Sequence, residues 1–590
     1  MATTAGQQAL TGPRPHVLRD YAFLGDGERG AVLGPDGDVA WLCAPYWDSD
    51  AVFAGLMGGP GRFVVAPADP WHTAGGSYLP RTLAWRAHIQ TRSGRMECHS
   101  ALALPADPHR LVLLRRVRAV DGDAVVRVDV TPRARFGADR PREMRREGTA
   151  WRWRCGALDW RLSGLETAVA HADGLAAELR IPEGGHHDLV LEIADGALGS
   201  PPEPDPLWEH TLRSWRERVP DCAASAAPRD AAHAFAVLHG LTSAAGGMAA
   251  AATTALPEFD GGGRNYDYRY AWIRDQCYAG IATAAHGPHP LVAGAAGFVA
   301  ARLLADGPDV HPAYTTRGGR VSPERHSGLP GYPGGGDRIG NHAATQRQLD
   351  CFGEALQLFA AADRHGMLDA DGAEASRIAV RAIRDHWKEN DAGVWELSDA
   401  WWTHTRLAMN AGLHAVAGRH RDLGPDAAEL ADAITTETRR LCTHRDGGWQ
   451  RAPDDERVDA ALVLPAVRAA ALRGDPRTEA TLVRVRRDLL DDGYVYRFRH
   501  GDAPLGDREG AFLLCGFMLT LAEASQGGRE AAVRRFERTR AACGAAGLFA
   551  EEYDVAERQL RGNLPQAFVH ALLLESSVVL GSGSEAGGAG

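Results

Sequence analysis

"SPPEPDPLWEHTLRSWRERVPDC" (200–222) separates two folding styles in one chain. Its prolines stop a strand and the residues after them turn helical, so the stretch reads as an interdomain linker. Upstream, from Tyr21 to about Ser200, apolar residues recur with period two. In "DAVVRVDV" (123–130), Val126, Val128 and Val130 would share one strand face. "AVLGPDGDVAWLC" (31–43) reads as a hairpin, because Asp36 and Gly37 supply turn residues between two apolar strands. "GTAWRWRCGALDWRLSG" and "HHDLVLEIADG" continue the style, and an antiparallel β-sandwich is the economical reading.

Downstream the period becomes helical. Ala/Leu-rich segments are predicted as helices at 231–251, 291–305, 343–364, 373–389, 405–419, 427–441, 458–472, 479–490, 509–526, 530–543 and 564–580. About a dozen helices with short connections and no intervening strands predict inner and outer helices closing an (α/α)6 barrel. A repeat solenoid would need a self-similar period, and none is present. The expected division is a β-sandwich over 1–200, a helical linker over 201–228, the barrel over 229–580 and a flexible tail over 581–590.

The 590 residues are 45% hydrophobic and 24% charged, as in a soluble globular protein. A net charge of −11 leaves no dominant basic face for nucleic acid or an anionic membrane, so a small neutral ligand fits better. No stretch comes near the roughly 18 apolar residues that cross a bilayer, and the first residues lack an apolar signal core. A cytoplasmic location is expected. The nine cysteines are scattered without a CxxC pair and read as reduced core residues. The 24 histidines show no metal-ligand spacing, "GGHHD" reads as exposed loop, and "DADG" (369–372) reads as a turn. Neither a metal nor a cofactor is expected, and self-association stays open.

Three acidic and aromatic clusters fall in the connections of the helical part. "NYDYRYAWIRDQCYAG" (265–280) alternates Tyr266, Tyr268, Tyr270 and Trp272 with polar residues, and places Arg274 and Asp275 before the next helix. Aromatic walls and a fixed Arg/Asp pair suit a sugar, whose ring offers apolar faces and hydroxyls. A buried salt bridge capping a helix would look the same. "AGVWELSDAWW" (392–402) sets Glu396 between Trp395 and Leu397, where apolar neighbours would favour the protonated carboxyl of a general acid; a surface glutamate at a helix start would read alike. "GLFAEEYD" (547–554) carries Glu551 and Glu552, which repel, so that one stays ionised and can deprotonate water.

Taken in order, "YAFLGDGERGAVLGPDGDVAWLC", "RNYDYRYAWIRD", "YPGGGDRIGNHAATQRQLDCFGEAL", "GVWE", "LDDGYVYRFR", "FAEEYD" and "GNLPQAFVHALLL" resemble glycoside hydrolase family 15, the glucoamylases and bacterial trehalase-like proteins. The resemblance covers most of the chain and implies an inverting hydrolase that releases β-glucose from α-glucosides. It assigns Glu396 as general acid and Glu551 as general base. It gives Arg274 and Asp275 to the terminal glucose, Tyr268 to the nucleophilic water, and Trp272 and Trp395 to the pocket wall. The departures lie on the leaving-group side: Arg406 stands about where the family has a lysine, and Pro333 replaces the arginine of a "GYRGS" loop. The leading expectation is hydrolysis of α,α-trehalose, with malto- or isomalto-oligosaccharides as the alternative. From other classes come an acid-catalysed isomerase or cyclase on a nonsugar substrate, and a binding protein that has lost catalysis.

Overall fold

The computed structural model describes residues 15–259, 261, 263–419 and 424–582. Antiparallel sheets build the N-terminal part. The largest has eight strands in the spatial order Arg142–Glu147, Ala150–Cys155, Leu158–Ser163, His186–Ala194, Arg110–Asp121, Arg95–Leu102, Trp85–Thr91 and His72–Tyr78. A second joins Val169–His171, Gly174–Ile181, Ala124–Thr131 and Arg62–Pro67. Here the expected alternation holds, with Ala124, Val126, Val128 and Val130 buried and the residues between them half-buried or exposed. The third sheet contains the predicted hairpin, with Gly30–Leu33 pairing with Val39–Cys43. This sheet is buried throughout because it also faces the helical part: Trp41 donates to the Ala252 carbonyl at 3.1 Å. "GGHHD" is not a loop at its histidines. His186 and His187 open a strand and pair with Arg118 and Val117.

The helices are α1 (Pro204–Arg218), α2 (Pro228–Leu241), α3 (Ile273–His286), α4 (Pro290–Asp306), α5 (Asp350–Arg364), α6 (Ala370–His386), α7 (Thr403–Ala417), α8 (Gly424–Cys442), α9 (Leu464–Arg468), α10 (Ala470–Arg473), α11 (Pro476–Asp488), α12 (Leu513–Ser525), α13 (Arg529–Arg540) and α14 (Ala567–Ser582). Helices α3, α5, α7, α9, α12 and α14 touch in sequence and α14 returns to α3, which closes the inner ring. Outside it stand α2, α4, α6, α8, α11 and α13. The inner helices are buried on nearly all sides because neighbours cover every face, and α14 is apolar almost throughout, whereas α6 and α8 carry one apolar stripe. Glycine lets α5 and α7 cross closely: a Cβ on Gly412 would collide with the Gly353 backbone.

Several boundaries differ from expectation for local reasons. Arg274 and Asp275 do not precede a helix but lie in the first turn of α3, which the sequence pattern missed because these polar residues are buried. Helix α5 begins at Asp350 rather than 343, since His342–Thr345 forms a separate 3-10 turn capped by Asn341. The single helix expected at 458–472 breaks at Ala469, which is extended between α9 and α10. Asp369 is a helix cap rather than part of a free turn, accepting from the Gly372 amide. Pro290–Asp309 is long and apolar enough to cross a bilayer, with mean hydropathy 1.3, contrary to the expectation that no stretch would be. Its helix α4 packs against α3, α5 and α6 in the barrel wall. At the C-terminus α14 runs through Ser582, and the rest of the expected tail, 583–590, lies outside the described residues.

Candidate active site

The segment 264–272 has two faces with different work. Tyr266, Tyr268 and Trp272 line a cavity at the end of the ring where α3, α12 and α14 begin. Asp267 and Arg269 point the other way. Arg269 pairs with Asp267 at 2.7 Å and donates to the Ser49 carbonyl at 2.6 Å and the Trp47 carbonyl at 3.2 Å. The N-terminal domain therefore clamps the segment that presents the aromatic wall. Tyr270, expected with the other aromatics, does not line the cavity; it is buried behind Trp272 in a cluster with Ala250, Ala313 and Ala343.

Glu396 sits in the loop between α6 and α7 with φ of 55°, a left-handed conformation that costs a non-glycine residue energy. Its Oε1 accepts from Trp272 Nε1 at 2.7 Å and from an Arg274 terminal nitrogen at 3.1 Å. The carboxyl thus faces two donors, not the apolar neighbours expected from the sequence. Trp395 turns its indole to Asp459 at 2.9 Å while its ring remains on the cavity wall. Arg274 is fixed from behind by Gln348 at 2.8 Å. Asp275 stands 3.8 Å from Arg274, and burial pushes its carboxyl up to about 6 against the pull of that guanidinium.

Glu551 comes from the opposite side, between α13 and α14. Its Oε2 accepts from the Tyr268 hydroxyl at 2.8 Å. Burial and then the Glu258 carboxylate push Glu551 well above the ordinary range, while the Tyr268 hydrogen bond pulls it back. Glu552 begins a strand and turns away, with its Oε2 on the Gly510 amide at 2.7 Å. The Tyr268 and Trp272 rings, each holding one carboxylate, lie 5.6 Å apart edge to face. Two carboxyl groups, each held by an aromatic side chain, therefore flank one cavity.

The seven residues expected to be catalytic or sugar-binding all line this cavity: Tyr268, Trp272, Arg274, Asp275, Trp395, Glu396 and Glu551. Sequence reasoning missed Glu258, Arg264, His342, Arg497 and Gln566, which line it too. Arg497 lies in the "YRFR" motif already noted, whereas Glu258, alone in "LPEFD", carries no local signal. Arg406 and Pro333, read as changes on the leaving-group side, do not line the cavity. Arg406 is fully buried on Asp391 at 2.8 Å, and Pro333 is exposed in a loop that docks on the N-terminal domain through Gly331 and Tyr332.

Residues 236–578 match Glycosyl hydrolases family 15. The chain belongs to this family. Residues 6–153 match the trehalase-like N-terminal domain that accompanies it. Among similar proteins, a trehalase of Mycobacterium tuberculosis is 29% identical over 96% of this chain and 90% of its own. Trehalase 1 of Sulfolobus acidocaldarius is 26% identical over 94% and 98%. A bacterial glucoamylase solved with acarbose superposes with a TM-score of 0.68 at 13% identity, over 98% and 97% of the two chains, and so shares the fold. The family 15 fold of β-domain and (α/α)6 barrel is the one expected.

Among the described residues, one group of possible metal ligands comes together outside the cavity: His186, Asp188 and Asp205. Arg116 already engages both carboxylates.

Proposed function

We propose that this glycoside hydrolase inverts one anomeric centre of α,α-trehalose, releasing β-glucose from the attacked ring and α-glucose as the leaving group. Glu396 serves as general acid, protonating the glycosidic oxygen, and Glu551 as general base, taking a proton from water on the other face of the sugar. Arg274 and Asp275 would hold hydroxyls of the terminal glucose, with Tyr268, Trp272 and Trp395 as the walls. Placement of Glu396 and Glu551 on neighbouring aromatic rings of one cavity carries this reading. Trehalose is favoured over malto-oligosaccharides by the trehalases that match along nearly the whole chain. A glucoamylase-like specificity fits the same carboxylates and is the second reading. The two carboxyl groups supply the proton transfers without a metal.

The test is glucose release from trehalose, maltose, isomaltose and maltotriose, with the fresh anomer read by NMR and Glu396→Gln and Glu551→Gln as controls. Equal amounts of fresh β-glucose, from the attacked ring, and α-glucose, from the departing ring, are expected from trehalose and are lost in both variants. α-Glucose alone, or equal rates in the Glu551→Gln protein, refutes the mechanism; release from maltose alone moves the specificity to the second reading.

A further inference from the structure

Glu258 is buried against the cavity, and its Oε1 lies 3.4 Å from the Tyr268 hydroxyl, the same hydroxyl that donates to Glu551 at 2.8 Å. A phenol has one proton to give. With that proton on Glu551, the contact to Glu258 joins two acceptors unless Glu258 brings a proton of its own. Gly562 shows how closely the two side chains sit: a Cβ there would meet Glu551 Cβ at 3.4 Å and Glu258 Cγ at 3.7 Å.

The surrounding charges lead to the same place. Four buried carboxyl groups, on Glu258, Glu509, Glu551 and Glu552, share two guanidinium groups, on Arg264 and Arg497. Glu509 takes both, from Arg264 at 2.9 Å and from Arg497 at 2.8 Å. Arg264 stands further off from Glu258, at 3.4 Å. His500 contacts Glu509 at the solvent edge, at 2.8 Å, and Glu396 and Tyr266 add charge or polarity from across the cavity. Four buried carboxylates against two guanidinium groups leave two charges without a partner, which burial disfavours. Glu552, on one backbone amide and with its Oε1 free of hydrogen bonds, is one candidate for neutrality. Glu258, with Arg264 at 3.4 Å, and Glu551, with no guanidinium partner among the described residues, compete to be the other, and the short Tyr268 hydrogen bond favours the charge on Glu551. Burial pushes Glu258 up to about 7, with Arg264 opposing, and a neutral Glu258 removes the second of the two pushes on Glu551, burial being the larger.

We propose that Glu258 is a positioning residue that carries a proton and donates it to the Tyr268 hydroxyl, so that Tyr268 donates to Glu551 and Glu551 remains the ionised base. The proposal rests on the assignment of Glu551 as base. In the reaction, the proton lost by water goes to Glu551 as the new C–O bond forms, and Glu396 gives its proton to the departing oxygen as the glycosidic bond breaks. Glu258 keeps its proton throughout. Above about 7 it would ionise, compete for the Tyr268 proton and lift Glu551, so activity falls on that side.

The experiment compares kcat and KM for trehalose across pH in the wild-type enzyme, Glu258→Gln, Glu258→Leu and Glu551→Gln. A glutamine amide can donate to the Tyr268 hydroxyl as a protonated acid does, so Glu258→Gln keeps kcat within about threefold and loses the inflection near 7. Glu258→Leu lowers kcat about tenfold with KM unchanged, the worth of one hydrogen bond. If Glu258→Gln is as inactive as Glu551→Gln, its ionised form is needed and the proposal is wrong. It is equally wrong if both Glu258 variants keep the wild-type profile, or if KM alone changes. Infrared spectra with labelled glutamate read the protonated carboxyl stretch without turnover: it should be present below about 7 and diminished in Glu258→Gln. That measurement decides the proton even if trehalose is not a substrate.

Discussion

Replacing Arg406 with methionine tests how the acid-bearing loop is held. The guanidinium is fully buried, donates to Asp391 Oδ1 at 2.8 Å and to the Trp387 carbonyl at 3.1 Å, and also engages the Glu389 carbonyl. Asp391 in turn accepts from the amides of Leu349 and Gly393, both at 3.1 Å, and from the Thr405 hydroxyl at 3.0 Å. Its backbone pairs with Ala400, so the strand pair closes the loop carrying Glu396. Breaking a buried pair from one side typically costs 3–5 kcal/mol. Because three donors to Asp391 survive, about 3 kcal/mol is expected here. Asp391 is already raised by burial against the pull of Arg406, and losing Arg406 raises it further. The folded variant then holds this proton more tightly than the unfolded chain, so its stability falls as pH rises. Because the unfolded chain is common to both proteins, the deficit against wild type grows between the wild-type and the further raised variant values of folded Asp391 and then levels off. Urea unfolding of the helical transition, followed by circular dichroism from pH 5 to 8, reads the deficit. Adding Asp391→Asn should recover part of it. A loss under about 1 kcal/mol, or one that does not change with pH, would refute the reasoning.

Glu396→Gln and Glu551→Gln should each lower kcat by about 10²–10⁴-fold with the fold intact, measured as glucose release and circular dichroism. Tyr268→Phe removes the hydrogen bond that holds Glu551 down, so the acid limb of kcat/KM should move to higher pH; a limb that stays or moves down contradicts the assigned base. Gly412→Ala forces a methyl group into the Gly353 backbone and should cost about 1–3 kcal/mol in the same urea assay.

The two-domain fold was legible because each part has its own period. Val126, Val128 and Val130 alternate against one core, and inner helices such as α14 are apolar almost all round because the ring covers them. Residues placed by other residues were harder to read. Buried Arg274 and Asp275 interrupt the apolar pattern of α3 and hid the helix itself. Glu258 and Glu551 are nearly three hundred positions apart and meet through one tyrosine hydroxyl, a relation no local window contains. Short motifs did reveal Tyr268, Trp272, Arg274, Glu396 and Glu551, since each lies in a compact run of aromatic and charged residues. Arg406 misled because its position along the chain resembles a leaving-group residue, while helix α7 turns it into the interior.

The alternating segment 264–272 also explains why the β-domain belongs to the catalytic unit. Tyr268 and Trp272 hold the two glutamates, and the intervening Arg269 is gripped by Ser49 and Trp47 of the sandwich. Asp267 extends the grip to the Gly340 amide at 3.0 Å, and Asn341 donates to the Asp267 carbonyl at 3.1 Å. Both carboxylates are thus oriented by a segment whose other face is fixed across the domain boundary. Under the proposed assignment, a shift of that segment by an ångström would move the partners of Glu396 and Glu551 together, and misplacement on that scale can cost about 10²-fold in rate. On that assignment the β-domain would act on the reaction at a distance, by holding two rings in register.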